Sequence, residues 1–414
     1  MPKTMTCFSM MVFALAPLAT MSAAPVSQFV INLDLVPEER YAEVIPAFNE
    51  SIWEFYNTIF LPNPALQALI YGVSAKRGPE NSEMMGEITG MAELTQLPFE
   101  FVKSIQMQQE LLSLMVPVVN FTGSPAAAPR LQFPEGYEAL QGWPGAKAGG
   151  YGCTGIIARN AADGMVYHAR NLDLNPPDVY NKLVYEAIFE RQGVEVFRSQ
   201  MMAGYTMVIT AAKGLGTKEG FAVERNTRFA DHVGSYMQAI GNLENGMELQ
   251  GWTLRKVFEE EVSFDAAVER ISTTPFVSTE FAIVSGVQQG TILGLNPGVG
   301  GVAHVAHRQM LGESNFEEPS EYIIMTNFDF YWHDIKEFFD PTAGGGFGKP
   351  SRRVAAQAIL NATLAAGDPL TPELLYSVIN SPFVLADTIF QVVMSVEAGL
   401  WNTSIPVHYS PPTD

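Results

Sequence analysis

Cysteine is nearly absent from this chain: Cys7 and Cys153 are the only two in 414 residues. Cys7 falls in an N-terminal stretch with the features of a cleaved signal peptide, which leaves Cys153 as the one thiol of the mature chain and excludes an internal disulfide framework. Basic residues are scarce too, with 24 Lys plus Arg against 44 Asp plus Glu and a net charge of −20. Such a surface repels nucleic acid. It loses negative charge as carboxylates protonate, which suits an acidic compartment. No stretch after the signal region has the length of a transmembrane helix. Only six histidines are present. His304 and His307 stand three apart with no cysteine near them, so neither a metal nor an organic cofactor is expected. Gly344-Gly345-Gly346-Phe347-Gly348-Lys349 has the composition of a phosphate loop, but Pro350 stands where Ser or Thr is needed and the first glycine is misplaced.

What is present is a globular composition, 47% hydrophobic and 16% charged, long enough for one large domain and a smaller one. Lys3, the apolar run Met10 to Leu18 and the small residues Met21-Ser22-Ala23 make residues 1–23 a signal peptide. Four sequons, at Asn49, Asn120, Asn361 and Asn402, are glycosylation candidates on a secretory route.

Residues 27–34 alternate like a strand, and Pro37-Glu38-Glu39 opens a helical region. Ile52, Phe55, Tyr56, Ile59 and Phe60 recur at helical spacing. A second helical region, 97–114, carries Phe99, Val102, Ile105 and Leu112. These stripes suit packing between helices, or a surface that touches membrane transiently to collect a lipid. Residues 121–152 are Gly/Pro-rich and read as a linker, where a backbone cut is tolerated. After Cys153 strands follow one another at 156–158, 166–168, 183–189, 194–197, 205–210 and 221–224, with a hairpin turn at Asp163-Gly164. Helices are expected near 252–262 and 264–272, strands at 281–284, 290–293 and 322–326, helices at 352–365 and 372–379, and a last strand at 388–396. Strands, helices and strands again indicate an α+β fold.

Cys153 begins an alternating run, and a second strand ends in Arg170-Asn171-Leu172-Asp173. If the bond between Gly152 and Cys153 is cut, Cys153 carries a thiol and an α-amine together. That amine has an ordinary pKa of about 7.7–8.0, so one residue supplies nucleophile and base, and no histidine is required. Arg170 is a permanent cation that favours a thiolate, and Asp173 can hold the new ammonium or orient Arg170. His168, in mid-strand, reads as a packed or hydrogen-bonded side chain.

Cys-Thr-x-Ile-x-Ala at Cys153, followed by x-His-x-Arg-Asn-Leu-Asp, resembles the acid ceramidase and N-acylethanolamine acid amidase family of N-terminal-nucleophile hydrolases. The likeness runs along the chain: Phe29 to Asp34 with Val36-Pro37-Glu38, then Gly86-Glu87-Ile88-Thr89-Gly90-Met91, then Glu224-Arg225, Thr326-Asn327-Phe328-Asp329 with Trp332, Arg352-Arg353, and Thr388-Ile389-Phe390 with Val393-Met394-Ser395. The resemblance implies a four-layer αββα sandwich with a helical N-terminal (alpha) subunit, 24–152, that stays associated with a catalytic (beta) subunit, 153–414. It implies that Cys153 is nucleophile and self-cleavage residue, that Arg170 and Asp173 hold and activate it, and that Asn327 donates to an oxyanion. Glu224 would assist proton movement during self-cleavage, and Arg352 would be a second active-site cation. The chain departs from the family at Gly155, where serine is usual, at Ala169, where glycine is usual, and in the Gly/Pro-rich insert before Cys153.

The function implied is hydrolysis of lipid amides to fatty acid and amine through a thioester, N-acylethanolamines being favoured over ceramide, in a lysosome-like compartment or outside the cell. The alternative is a secreted lipid-binding protein on an inactive amidase fold.

Overall fold

The computed structural model describes residues 26–76, 82–108, 110, 118–120, 130–132, 151–229, 236–313, 319–329, 352–382, 384–385 and 387–406. The signal region, most of the Gly/Pro-rich linker, Leu112, Trp332 and the loop 344–349 lie outside the described residues.

Two sheets carry the fold. Strands β1 (Gln28–Asn32), β6 (Val184–Arg191), β7 (Val194–Met202), β8 (Thr210–Lys213), β9 (Phe221–Thr227), β10 (Glu280–Gly286), β11 (Gln289–Val299) and β12 (Val302–Met310) lie side by side in that order. β1 joins β6 in parallel and the remaining pairs are antiparallel. The smaller sheet has the order β13 (Tyr322–Met325), β4 (Tyr151–Arg159), β5 (Val166–Leu174), β14 (Thr388–Ser395) and β15 (Leu400–Ser404). A short pair, β2 (Val118–Asn120) and β3 (Arg130–Gln132), stands apart. The helices are α1 (Val44–Phe55), α2 (Pro64–Lys76), α3 (Ser82–Thr95), α4 (Phe99–Ile105), the single turn α5 (Pro177–Tyr180), α6 (Tyr236–Glu244), α7 (Gln250–Glu260), α8 (Phe264–Thr273), α9 (Arg352–Ala366) and α10 (Pro372–Ile379).

Side-chain alternation sorts these elements into layers. Ile157, Phe281, Ile283, Ile292, Ile323 and Met325 meet between the sheets. Their neighbours Ile156, Ala158, Tyr322 and Ile324 point the other way, onto Ala356, Leu360, Leu375 and Val378 of α9 and α10. On the far face of the larger sheet, Phe258 of α7 stacks on Phe197 and Phe221, with ring centroids 5.5 and 5.0 Å away. The order is therefore helices, sheet, sheet, helices, an α+β sandwich of four layers. Because both faces of β5 are covered, all nine of its residues are buried.

The N-terminal helices dock against this body. Ile52, Phe55, Ile59, Phe60, Phe101, Val102 and Ile105 are all buried, and the rings of Phe55, Tyr56 and Phe60 pack on Phe101. These stripes are core, so they do not form the membrane-docking surface that was their alternative. Among the described residues no helix is long and apolar enough to cross a membrane.

Three local expectations are corrected. The strand expected at 205–210 starts only at Thr210. The preceding turn has its backbone groups taken by a side chain: Gln106 Nε2 donates to Gly204 O at 2.8 Å, and Thr206 N donates to Gln106 Oε1 at 2.8 Å. The helical region expected over 97–114 begins at Phe99, after Pro98, and breaks after Ile105; Gln108 and Glu110 are helical again, and 111–114 lie outside the described residues. The segment read as linker already forms β3, and its last two residues, Tyr151 and Gly152, are in β4. Helices α2, α3 and α6 and strand β12 had no sequence signal strong enough to name them.

Arg225, next to Glu224, turns away from the inter-sheet space because strand neighbours face opposite sides. Its Nε donates to Gln250 Oε1 at 2.9 Å, and its guanidinium pairs with Glu280. Burial pushes the Glu280 carboxyl up to about 8, Arg225 pulls it back, and nearby Glu110 pushes it up again. The folded chain therefore keeps this proton where the unfolded chain has released it. The associated stability is fully present below about 4.5 and is lost as pH rises towards about 8. Thermal melting across that range is expected to show a midpoint that falls with pH, and Glu280→Gln is expected to flatten the slope. An unchanged slope in the variant would assign the dependence to other groups.

Candidate active site

The hairpin β4–β5 turns at Asp163-Gly164, as expected, with Gly164 at φ +75°. Its register sets Cys153 opposite Leu172, Gly155 opposite Arg170, Ile157 opposite His168, and Gly152 opposite Asp173. Alternation then points Cys153, Gly155, His168 and Arg170 between the sheets, and Thr154, Asn171 and Asp173 towards α9 and α10.

Cys153 is 3% exposed. Its Sγ lies 3.9 Å from Arg170 Nη2. Arg170 is fully buried; its Nη1 donates to Asn226 Oδ1 at 2.7 Å and lies 3.6 Å from Glu224 Oε1. Glu224 and Asn226 stand two apart on β9, so both face the site while Arg225 between them does not. Gly155 has a steric reason to be glycine. A Cβ there would lie 1.9 Å from Glu224 Oε1 and 2.6 Å from Ile283 Cδ1. The carboxylate thus occupies space that a serine side chain would need.

The other wall is built by α9. Arg352, its first residue, is fully buried. Its Nη1 donates to Cys153 O at 2.6 Å, to Thr154 Oγ1 at 3.2 Å and to Asp173 Oδ2 at 2.9 Å, while Nη2 donates to Asn327 Oδ1 at 2.7 Å. Asp173 also accepts from Thr388 Oγ1 at 2.5 Å. Gly152 passes so close to this guanidinium that a Cβ would meet Nη1 at 2.9 Å.

Asn327 follows β13. Its Oδ1 accepts the backbone N–H of Cys153 at 2.8 Å, and its Nδ2 donates to Thr227 O at 2.7 Å. Two donors meet the oxygen and one acceptor meets the nitrogen, which fixes the amide orientation. One of its two amide hydrogens is donated to backbone, and its oxygen holds the nitrogen that cleavage would turn into the α-amine.

Cys153, Arg170, Asp173, Glu224, Asn327 and Arg352, spread over 200 residues of sequence, thus form one connected cluster. Sequence reasoning missed Asn226 and Thr388, which hold Arg170 and Asp173. Period-two alternation from Glu224 was the signal for Asn226; Thr388 stood in a segment noted for its likeness, with no role attached to it. Burial pushes the Cys153 thiol up, against the pull of Arg170. In the uncut chain it is a protonated thiol beside a fixed cation, with a base still to be supplied.

Of the sequons, Asn361 and Asn402 are exposed, Asn49 is half-buried on α1, and Asn120 ends β2. His304 and His307 sit on β12, where His304 Nδ1 is 3.0 Å from Asn296 Nδ2. Among the described residues no three His, Cys, Asp or Glu side chains come together as a metal site.

Residues 24–70 match the family described as the beta subunit of N-acylethanolamine-hydrolyzing acid amidase. The N-acylethanolamine-hydrolyzing acid amidase of Cavia porcellus is 24% identical over 372 residues, covering 88% of this chain and 86% of that protein. The Rattus norvegicus protein of the same name is 28% identical over 246 residues, covering 59% and 60%. Homo sapiens acid ceramidase is 22% identical over 401 residues, covering 91% and 85%. The solved structure of a Caenorhabditis elegans N-acylethanolamine-hydrolyzing acid amidase ortholog aligns with a TM-score of 0.45 at 24% identity, covering 59% of this chain and 93% of that one.

Proposed function

We propose that this chain, which belongs to the family of N-acylethanolamine-hydrolyzing acid amidases and acid ceramidases, is a self-cleaving cysteine amidase of lipid amides. The observation that carries the proposal is the setting of Cys153. Its backbone nitrogen rests on Asn327 Oδ1 and its thiol lies beside Arg170. Both atoms that the chemistry needs are held before any cut is made.

In maturation the thiol gives up its proton and Sγ attacks the Gly152 carbonyl carbon. The Gly152–Cys153 bond breaks, the departing nitrogen takes the proton, and a thioester links Gly152 to Sγ. Water cleaves that thioester and leaves Cys153 with a free thiol and a free amine. The amine then serves as the base, taking the thiol proton as sulfur attacks the substrate amide. The amine product leaves, and water releases the fatty acid from the second thioester. Arg170 favours the thiolate, and Asn327 and Arg352 keep the new terminus in place. N-acylethanolamines are the preferred substrates, supported by the higher identity to the amidases, 24% and 28%, than to acid ceramidase, 22%.

The N-terminal fragment, 24–152, stays bound to 153–414 through its buried helical stripes. The signal-like N-terminus, the sequons and the acid-favouring Glu280 support a secretory route to an acidic, lysosome-like compartment.

Incubation of the full chain at acidic pH is expected to give two bands on a denaturing gel, the larger with Cys153 at its N-terminus. The mature protein is expected to release fatty acid faster from N-acylethanolamines than from ceramide. A chain that stays whole and resists a thiol-directed active-site probe would remove the enzyme from consideration.

A further inference from the structure

We infer that His168 is a positioning residue for maturation: with Ser285 it holds the Glu224 carboxylate, and through it the Arg170 guanidinium, in place beside the Cys153 thiol. The inference rests on the self-cleavage proposed above.

Four groups line up in the space between the sheets. Ser285 Oγ on β10 is 2.9 Å from His168 Nδ1, and His168 Nε2 on β5 is 3.1 Å from Glu224 Oε2 on β9. Glu224 Oε1 is 3.6 Å from Arg170 Nη1, and Arg170 Nη2 is 3.9 Å from Cys153 Sγ. His168, Arg170 and Glu224 are fully buried and Ser285 is 3% exposed. Glu224 Oε1 has no hydrogen-bond partner of its own, so the carboxylate is held by one firm hydrogen bond, from His168, and by the longer pairing with Arg170. The absence of a side chain at Gly155 lets it settle there.

Arg170 is a permanent cation, and His168 is the neutral-or-cationic ring that holds the far side of the Glu224 carboxylate. The charged groups facing His168 are Glu224 from β9 and Arg170 from its own strand. Its paired positions are Ile157 on β4 and Met394 on β14, and β10 adds Ile283 and Ser285. With Nε2–H donating to Glu224, Nδ1 accepts the Ser285 hydroxyl, so both contacts are satisfied and the carboxylate is pinned beside Arg170.

The test measures the self-cleavage rate of the full chain at one acidic pH for wild type, His168→Ala, His168→Gln and Ser285→Ala, with thermal melting to establish that each folds. His168→Ala removes the donor to Glu224 and is expected to cleave about tenfold slower. His168→Gln restores a neutral donor towards Glu224 and is expected to recover part of that rate. Ser285→Ala loosens the ring and is expected to cleave more slowly than wild type. Variants that cleave at the wild-type rate, or a glutamine no faster than the alanine, would overturn the inference. If the His168 variants do not fold, Ser285→Ala decides alone, and an unchanged rate overturns it. A wild type that is never cut refutes the self-cleavage proposal instead, which separates the two failures.

Discussion

Cys153→Ala is expected to stay a single chain at every pH and to release no fatty acid from any lipid amide, while folding like wild type. The argument separates chemistry from stability. In the proposed mechanism the sulfur is the attacking atom in both reactions, and no other cysteine stands among the described residues to substitute for it. Its structural part is small. Sγ makes one long contact, 3.9 Å from Arg170 Nη2, and removing one buried heavy atom costs about 1 kcal/mol. The backbone N–H of residue 153 and its carbonyl keep their bonds to Asn327 and Arg352, because these belong to the main chain. A denaturing gel, a substrate assay and a melting curve on one preparation check all three parts. Fragments appearing in this variant would mean that an outside protease makes the cut.

Glu87→Ala is expected to destabilise the chain by about 3–5 kcal/mol, the usual consequence of stripping a buried charge of its partner. Glu87, on α3, is 1% exposed and stands between two arginines. Arg40 Nη1 donates to its Oε1 at 2.9 Å and Arg255 Nη2 at 2.6 Å, and Arg255 Nη1 grips Oε2. Arg40 is further tied to Leu33 O at 2.8 Å, and Arg255 to Glu259 at 2.9 Å with its guanidinium 5.1 Å from the Phe189 ring. Neither arginine can withdraw to water without undoing these contacts. Alanine leaves two buried cations facing each other, each with only a more exposed carboxylate beside it, Glu83 at Arg40 and Glu259 at Arg255.

The position also matters after the proposed cut. Glu87 and Arg40 lie on the N-terminal fragment and Arg255 on the C-terminal one, so the same carboxylate would clamp the two together. Matured Glu87→Ala is therefore expected to separate into fragments at lower denaturant than it needs to unfold. Chemical unfolding of the uncut Cys153→Ala chain with and without Glu87→Ala isolates the stability part. A midpoint unmoved by the second substitution would show that the clamp contributes nothing.

How much of this was legible in the sequence depends on the range over which each signal acts. The hairpin around Asp163-Gly164 was readable because its turn residues and both alternating strands are neighbours in sequence. Cys153, Arg170 and Asp173 came with it, since register follows from the turn. Helices at 264–272 and 372–379 were readable from apolar spacing. The strand expected at 205–210 failed because Gln106, a hundred residues upstream, takes the backbone bonds that a ladder would use. The membrane reading of the N-terminal stripes failed for a related reason: periodicity shows that a face is apolar, and only the packed partner shows what covers it. Asn327 was identified by likeness, but the direction of its amide is set by Thr227 and Arg352.

The sequence by itself determined the scarcity of cysteine, the hairpin that presents Cys153, the acidic composition and the alternation that layers the sheets, because each depends on composition or on residues a few positions apart. The tertiary structure decided what surrounds that thiol. It brought Glu224, Asn226, Asn327 and Arg352 to Cys153, stood His168 and Ser285 behind Glu224, and set Glu87 between Arg40 and Arg255. Those placements depend on which faces of two sheets and several helices meet. The meeting of faces is fixed by burial summed over the whole chain, and no local stretch of sequence encodes it.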